Sequence, residues 1–243
     1  MTDAIHPAAA GGFGRSAAAY ERGRPGYPDA AVDRLVAALP GRRVVDLAAG
    51  TGKLTRALVA RGCDVVAVEP VAEMRAVIAP PARAVGGTAE ATGLPDSSAD
   101  AVTVAQAFHW FDGPRALAEI HRVLRPAGLL ALLWNTRVED DPVNRAIDEL
   151  LAPYRRGAPT QRSDAWRAAF DRTTLFASLE ECEFAGEQRL DADGMEARVG
   201  SISFIAALDE PERKRVVERA RGIAGEGTVT VPYRTEVLLW RRR

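Results

Sequence analysis

Short apolar runs alternate with stretches of helical period along the first two thirds of the chain. Val44 and Val45 open a β-branched run that suits a buried parallel strand. Between the runs, apolar residues recur at helical spacing, as Leu54 and Leu58 do. Further apolar runs lie at 64–69, 83–87, 100–104 and 129–134. This alternation predicts an α/β fold with a mostly parallel sheet.

The stretch 43–55, RVVDLAAGTGKLT, combines a strand, a turn of small residues and the start of a helix. Asp46 ends the apolar run, and Gly50 and Gly52 lie in the turn. A helix that starts directly after such a turn presents free backbone N–H groups to whatever lies above the strand end. The stretch therefore predicts a ligand site at the carboxyl end of the first strand.

Spacing excludes two common nucleotide motifs at this turn. A dinucleotide fingerprint would need a third glycine where Thr55 stands. A phosphate-binding P-loop would need a glycine at Leu47 and a hydroxyl residue at Leu54. A second acid, Glu69, ends the next apolar run, where an acidic side chain can accept from both ribose hydroxyls of an adenosine.

The Asp46-x-x-x-Gly50-x-Gly52 turn and Glu69 resemble motifs I and II of the class I S-adenosylmethionine-dependent methyltransferases, with Ala48 where the family has a glycine. The string AQAFHWFD at 105–112 is similar to a motif of a subgroup related to trans-aconitate methyltransferase. The specific motifs cover roughly residues 13–135. The resemblance implies S-adenosyl-L-methionine as cofactor and a Rossmann-like class I methyltransferase fold. That fold is a seven-stranded, mostly parallel sheet with helices on both faces and a helical lid insertion.

One methyltransferase domain over residues 1–243 is expected, divided by role into four segments. They are an N-terminal helical cofactor-covering segment at 1–40, a cofactor-binding core at 43–135, a substrate lid at 136–177 and a C-terminal completion of the sheet at 178–243. The alternative interpretation of the lid segment is a solvated pair of helices whose aromatic side chains belong to the ordinary core. Helices are also predicted over 28–39, 70–78, 192–208 and 210–223, and separate strands over 228–231 and 235–240.

The resemblance also implies which residues hold the cofactor. Tyr20 and Arg24 match a family pattern that closes over the methionine end, with Arg24 near its carboxylate. The alternative is a solvated arm with Arg24 unpaired. Met74 is expected against the adenine, although a methionine on a helix also suits a plain core. The full expected set is Tyr20, Arg24, Asp46, Ala48, Gly50, Gly52, Glu69, Pro70, Met74, Thr88, Ala89, Glu90 and Gln106.

Residues that follow the fourth and fifth strands are expected to contact the acceptor, because chemistry in an open α/β sheet lies beyond the carboxyl ends of strands. His109 is the candidate acid or base, with a packing or substrate-orienting role as the alternative. Expected lid arginines that could hold an acidic group are Arg137, Arg145, Arg155 and Arg156. The expected substrate-binding residues are Phe108, His109, Trp110, Asn135, Arg137 and Tyr154.

Composition narrows the possible partners and compartment. The 243 residues carry a net charge of −1, which offers no general attraction to nucleic acid or anionic membrane. Two cysteines, Cys63 and Cys182, cannot build a disulfide framework or a zinc site, so no metal is expected. We expect no signal peptide, because residues 1–14 lack a basic region followed by an apolar one, and no membrane span, because no apolar run approaches 18 residues. We expect a cytoplasmic monomer or homodimer that acts on a small molecule.

The predicted reaction is methylation of a small organic acceptor by in-line displacement, with an oxygen of a carboxylate or hydroxyl as the nucleophile. Methylation on nitrogen or carbon is the first alternative. A non-catalytic subunit that binds an adenosine cofactor is the second, since a fold does not by itself imply activity. Methylation of nucleic acid is a third alternative that the sequence supports less, because the sequence has no basic stripe.

Overall fold

A computed structural model describes residues 17–155 and 165–243 of the chain. Its centre is a seven-stranded mixed sheet. The strands are β1 Arg43–Leu47, β2 Asp64–Val68, β3 Arg83–Val85, β4 Ala99–Ala105, β5 Leu124–Arg137, β6 Phe176–Leu190 and β7 Val229–Arg242. They lie in the order β3-β2-β1-β4-β5-β7-β6. β1 to β5 are mutually parallel, and β7 runs antiparallel to both of its neighbours.

Helices cover both faces of this sheet. They are α1 Ala17–Gly23, α2 Asp29–Ala38, α3 Lys53–Val59, α4 Ala72–Arg75, α5 Gly113–Val123, α6 Pro142–Leu151, α7 Arg167–Asp171, α8 Ala192–Gly200, α9 Ser203–Ala206 and α10 Glu210–Ala224. Leu35 and Leu58 bury α2 and α3 against one face, and Leu117 and Ile120 bury α5 against the other. A third apolar cluster joins α6, α8 and α10. Within 17–155 and 165–243, no helix combines the length and apolar character that a membrane crossing requires.

Two predicted boundaries in the C-terminal third are wrong. The predicted helix 192–208 is interrupted between α8 and α9, where the Ser201 hydroxyl donates to the Arg198 carbonyl at 2.8 Å. The two predicted strands at 228–231 and 235–240 are one strand, β7. Pro232 does not interrupt it, because pairing with β5 begins only at Tyr233. The proline therefore lies where β7 has β6 as its one neighbour, and a missing N–H is tolerated on an open side.

The segment predicted as a lid separates into two parts with different surroundings. α6 packs beside α10 and contributes Ile147 to a cavity above the sheet. In contrast, Trp166 and Phe170 belong to the core beneath α5, where the Phe170 ring stacks on Trp240 with centroids 4.2 Å apart. The helical lid is not confirmed as one unit, and its aromatics serve the core as the alternative interpretation expected. Residues 156–164, which include Arg156, lie outside the described residues, as do residues 1–16.

Candidate functional site

A cavity of about 500 Å³ opens above the carboxyl ends of β1, β4 and β5. Its walls come from widely separated parts of the sequence, so only the folded chain assembles it. The residues from the first half are Tyr20, Arg24, Pro25, Tyr27, Asp46, Ala48, Ala49, Thr51, Lys53, Leu54, Ala105, Gln106, His109 and Trp110. The residues from the second half are Asn135, Thr136, Arg137, Ile147, Leu151, Arg155, Arg198, Ile202, Ser203, Phe204 and Tyr233.

Asp46 lies at the floor of the cavity with both carboxylate oxygens engaged. Oδ2 accepts from the Thr55 hydroxyl at 2.6 Å, and Oδ1 accepts from the Thr103 hydroxyl at 2.9 Å. The side chain is buried, and desolvation raises its pKa to about 6, although the two hydroxyls oppose that shift. Asp46 therefore fixes the end of β1 to β4 and to α3.

Glu69 holds the turn after β1 to the turn after β2. Its carboxylate accepts from the backbone N–H of Gly50 and from that of Val71, each at 2.8 Å. Burial raises its pKa, while the two N–H donors and the nearby Arg75 oppose the shift. Each carboxylate oxygen has a further lone pair, so Glu69 can also accept from hydroxyls of a ligand.

The turn after β1 is built from residues in the left-handed region of backbone space. Gly50 has a φ of 58° and Gly52 a φ of 80°. Ala48, which stands where the resembled motif has a glycine, adopts a φ of 55°. A non-glycine residue rarely takes this conformation, so the turn is strained at Ala48 and would be more strained with a β-branched residue at Gly50.

The N-terminal helix closes one side of the cavity. A Cβ on Gly50 would lie 3.9 Å from Met74 Sδ and 4.0 Å from Tyr20 Cε1, so α1 reaches the turn after β1. Glu21 accepts from the Thr51 hydroxyl at 2.6 Å. Arg24 donates from Nε to the Ser201 hydroxyl and from Nη2 to the Ser201 carbonyl, both at 3.0 Å. The segment thus bridges the turn and the C-terminal helices.

His109 lies in the cavity wall on a 3-10 turn, Phe108–Trp110, directly after β4. Its ring packs against Trp110 and Trp134, with centroids 5.0 and 5.4 Å away. Nδ1 is buried and has no hydrogen-bond partner among the described residues. Burial, reinforced by the charge of Arg24, lowers its pKa to about 4, so the ring is neutral at pH 7.

Guanidinium groups dominate the side of the cavity formed by β5 and the C-terminal helices. Arg137 donates to Asp148 Oδ1 at 2.5 Å, and Arg155 pairs with the same oxygen. Arg198 projects from α8 and is 7% exposed. Burial, with the charges of Arg137 and Arg24, lowers the pKa of Arg198 to about 9. This side of the cavity therefore has more positive than negative groups.

Comparison with known proteins identifies the family. The family model described as a methyltransferase domain matches residues 45–132. An uncharacterized methyltransferase of Mycobacterium tuberculosis, Rv3342, is 41% identical over 236 residues, 92% of each chain. An uncharacterized methyltransferase-like protein of Schizosaccharomyces pombe, C25B8.10, is 35% identical over 84% of this chain and 82% of its own. A solved structure from Anaeromyxobacter dehalogenans, assigned as a type II methyltransferase, has a TM-score of 0.67 at 27% identity, covering 90% and 97% of the two chains. The chain belongs to the class I S-adenosylmethionine-dependent methyltransferases.

The methyltransferase offers polar groups that fit the cofactor its family and fold imply. Gln106 Nε2 and Thr88 Oγ1 are buried and lack hydrogen-bond partners among the described residues. Gln106 follows β4, the neighbour of β1, and Thr88 lies in the loop after β3, which pairs with β2. Each could satisfy a polar edge of an adenosine. Together with the accepting capacity of Glu69, these groups are consistent with S-adenosylmethionine.

The structure places the predicted cofactor residues in three groups. Those that line the cavity are Tyr20, Arg24, Asp46, Ala48 and Gln106. Gly50, Gly52, Glu69 and Met74 join them through the contacts of the turn. Pro70 follows Glu69, and Thr88, Ala89 and Glu90 form the loop after β3, where Glu90 accepts from the Asp112 N–H at 3.0 Å.

Two predicted substrate residues lie away from the cavity wall. Phe108 is 1% exposed and packs in the core against Phe170, with ring centroids 5.0 Å apart. Tyr154 donates to Glu212 Oε1 at 2.7 Å, which holds it beside α10. Among the arginines expected to hold an acid, Arg145 is exposed and donates to the Asp140 carbonyl. In contrast, His109, Trp110, Asn135 and Arg137 line the cavity.

Sequence reasoning missed the contribution of α8 and α9. Arg198, Ile202, Ser203 and Phe204 line the cavity, as does Tyr233 of β7. One signal was available, since the stretch 195–200, MEARVG, places a lone arginine between small and apolar residues on a buried helix face. A charged residue in such a position is rarely buried without a function.

Proposed function

We propose that this methyltransferase transfers the methyl group of S-adenosylmethionine to an oxygen of a small organic acceptor. The observation that carries the proposal is the single cavity that joins the motif residues Asp46 and Ala48 to His109 and to arginines of other elements. A volume of about 500 Å³ has to hold the reactive part of the cofactor and the acceptor together. The acceptor is therefore a small molecule.

Glu69 accepts from the ribose hydroxyls in this proposal. Each oxygen already accepts one backbone N–H, and the remaining lone pairs are available for the ligand. Gln106 and the loop that contains Thr88, Ala89 and Glu90 border the adenine. Tyr20 covers the turn at Gly50. When bound, the cofactor would supply an activated methyl group on a sulfonium for in-line displacement by the acceptor, with S-adenosylhomocysteine as the leaving group.

The protein positions the acceptor and shields it from water, since an activated methyl group needs no covalent enzyme intermediate. Ile147 and Leu151 of α6 provide apolar surface, and Trp110 adds an aromatic wall. Asn135 is already held by its own contacts, because its Nδ2 donates to the Gly26 carbonyl at 2.9 Å. These side chains define a pocket with apolar walls and a few oriented polar groups.

His109 favours a carboxylate over a hydroxyl acceptor. A carboxylate is already ionised and needs no base, whereas a hydroxyl has to lose its proton. With its pKa near 4, the His109 ring is a weak base, although it is neutral and can exchange a hydrogen bond with the acceptor. The arginines on the opposite wall support the same choice, since guanidinium groups pair with carboxylates.

Calorimetry with S-adenosylhomocysteine, followed by transfer of a labelled methyl group to a metabolite library, tests this function. We expect cofactor affinity near micromolar, about −8 kcal/mol, and no binding of NAD. A product whose new methyl is on nitrogen or carbon would contradict the oxygen assignment. Cofactor binding with no transfer to any small molecule would favour a non-catalytic subunit.

A further inference from the structure

Arg198 is a buried charged residue in the wall of the cavity. It lies on α8 between Ala197 and Val199, both of which are buried. Its own side chain reaches the cavity, although only 7% of the residue is exposed. Arginine is seldom this buried unless it is paired, so its partners decide what it does.

The partners of Arg198 orient the guanidinium without neutralising it. Nη1 donates to the side-chain oxygen of Gln188, a neutral amide on β6. Gln188 in turn donates from Nε2 to the Gly23 carbonyl at 3.1 Å, so it is fixed at both ends. Across residues 17–155 and 165–243, no carboxylate forms an ion pair with Arg198. A guanidinium has five N–H donors, and the Gln188 bond uses one.

The charges that face Arg198 are of its own sign. Arg137 and Arg24 both disfavour its protonated form, and Tyr233 is the one neighbour that favours it. Asp148 of α6 is shared by Arg137 and Arg155. Arg24 is directed to Ser201, a neutral residue. The wall therefore holds an excess of positive charge.

A buried cation without a counter-ion destabilises the empty protein. Bidentate hydrogen bonding to a carboxylate would remove that penalty, and the planar donor group of arginine fits a carboxylate. Two carboxylates are candidates, one on the acceptor and one on the methionine part of the cofactor. Arg24, the residue expected at the cofactor carboxylate, is one of the two arginines that face Arg198, and Arg137 is the other. We choose the acceptor because Arg137, Ile147 and Leu151, which line the same cavity, lie outside the segment that carries the cofactor motifs.

We propose that Arg198, with Arg137 beside it, forms an anion-binding subsite that holds a carboxylate of the methyl acceptor, which is thus a small organic acid. Gln188 positions the guanidinium. This inference rests on the proposed function, because it assigns the acceptor of that same reaction. The bound carboxylate is either the group that receives the methyl or a second acidic group that orients the molecule.

Calorimetry on the full chain saturated with S-adenosylhomocysteine tests the subsite. The probes are succinate, glutarate and adipate, with their dimethyl esters as uncharged controls. We expect at least one of the three acids to bind and its ester not to bind. The Arg198→Met variant should lose at least tenfold in affinity for that acid and keep its affinity for S-adenosylhomocysteine. Arg145→Met, which removes an exposed arginine from outside the cavity, is the matched control and should bind the acid as the wild type does.

Thermal unfolding separates this role from a structural one. Because Arg198 lacks a counter-ion, Arg198→Met should keep or raise the melting temperature of the ligand-free protein, while the acid should raise only that of the wild type. If Arg198→Met does not fold, the Arg198 charge is structural and the proposal is overturned. Arg198→Lys retains the charge, loses the planar donor group and should bind the acid with intermediate affinity.

Three further outcomes would overturn the subsite. They are no binding of any of the three acids to the wild type, unchanged acid binding in Arg198→Met, and a loss of S-adenosylhomocysteine affinity in that variant with acid binding kept. The last would assign Arg198 to the cofactor carboxylate. Failure of the wild type to bind S-adenosylhomocysteine is a different result, since it contradicts the proposed function itself.

Discussion

The two sides of the candidate site differ in how their buried charges are satisfied. On the side that carries the cofactor motifs, called the motif wall, Asp46 lines the cavity and Glu69 holds the turn after β1. Both are buried, and each carboxylate accepts two hydrogen bonds from within the protein. On the facing side, called the arginine wall, Arg198 is also buried, and the one described hydrogen bond of its side chain goes to a neutral amide, that of Gln188. The two motif carboxylates have hydrogen-bond partners before any ligand arrives, whereas Arg198 carries a charge that a ligand can balance.

The difference shows how each wall contributes to function. Carboxylates that are held by hydrogen bonds within the protein keep their positions and can recognise a cofactor by preorganised geometry. An unbalanced charge lowers the stability of the empty protein and strengthens the attraction for an anion. We therefore propose that the motif wall recognises the cofactor and the arginine wall recognises the acceptor.

The largest expected effect comes from the turn of the motif wall. Gly50→Val should abolish measurable binding of S-adenosylhomocysteine, because a β-branched residue is strained at a φ of 58° and its side chain would fill the space between Met74 and Tyr20. Gly225→Val is the matched control, since Gly225 has a φ of 62° and open space around it. Binding of S-adenosylhomocysteine by Gly225→Val but not by Gly50→Val would support a cofactor site at the turn after β1. Cofactor-induced thermal stabilisation in Gly50→Val would locate the site elsewhere.

Glu69→Ala should weaken S-adenosylhomocysteine by roughly 1.5–3 kcal/mol, about 10- to 150-fold, because a charged acceptor of hydrogen bonds is lost. Part of the loss comes from the N–H groups of Gly50 and Val71, which lose their acceptor. Glu73→Ala, an exposed acid on α4, controls for the change in charge. Equal affinities of the two variants, measured by calorimetry, would exclude Glu69 from the site.

The pH dependence of stability tests the burial of Asp46. Its folded-state pKa of about 6 is above the ordinary value near 4, so between these pH values the folded protein binds more protons than the unfolded chain. The contribution of Asp46 to the free energy of unfolding therefore falls as pH rises through this window. Urea unfolding should show wild type losing stability relative to Asp46→Asn between pH 4 and 7. A difference that is constant or rises with pH would contradict the account.

The smallest effect is expected at His109. If the acceptor is a carboxylate, His109→Ala should reduce kcat by less than tenfold, because no proton is removed in the reaction. A general base would be worth about 10²–10⁴-fold. His121→Ala is the matched control, since His121 lies on α5 outside the cavity and contacts the Arg243 carbonyl. A loss of 100-fold or more in His109→Ala alone would establish a base and a hydroxyl acceptor.

The two walls also differ in how far the sequence could predict them. The motif wall is local in sequence, because Asp46, Gly50 and Glu69 lie at the ends of adjacent parallel strands whose apolar runs are visible in the chain. Parallel strands bring their carboxyl ends to one edge of the sheet, so the residues could be placed together from spacing alone. The family and the seven-stranded sheet followed from the same motifs.

The arginine wall depends on contacts that no local pattern encodes. Arg198 reaches the cavity only because α8 packs against α1, with Gln188 bonded to the Gly23 carbonyl. The chain breaks between α8 and α9 at Ile202, which is extended and lines the cavity, next to the Ser201 hydroxyl that bonds the Arg198 carbonyl. The wrong expectation for Phe108 also comes from contacts distant in sequence. Its position after β4 suggested the acceptor site, whereas its ring packs in the core against Trp166 and Phe170.

The most direct test of the central claim is to locate the methyl group on the product. Wild-type protein is incubated with methyl-labelled S-adenosylmethionine and small organic acids, and the product is treated with mild alkali. We predict that alkali releases the label as methanol, because a methyl ester hydrolyses, and that Arg198→Met forms less of this product than Arg145→Met. A label that stays on the product after alkali would contradict methylation of a carboxylate, and a label found on nitrogen or carbon would contradict oxygen methylation altogether.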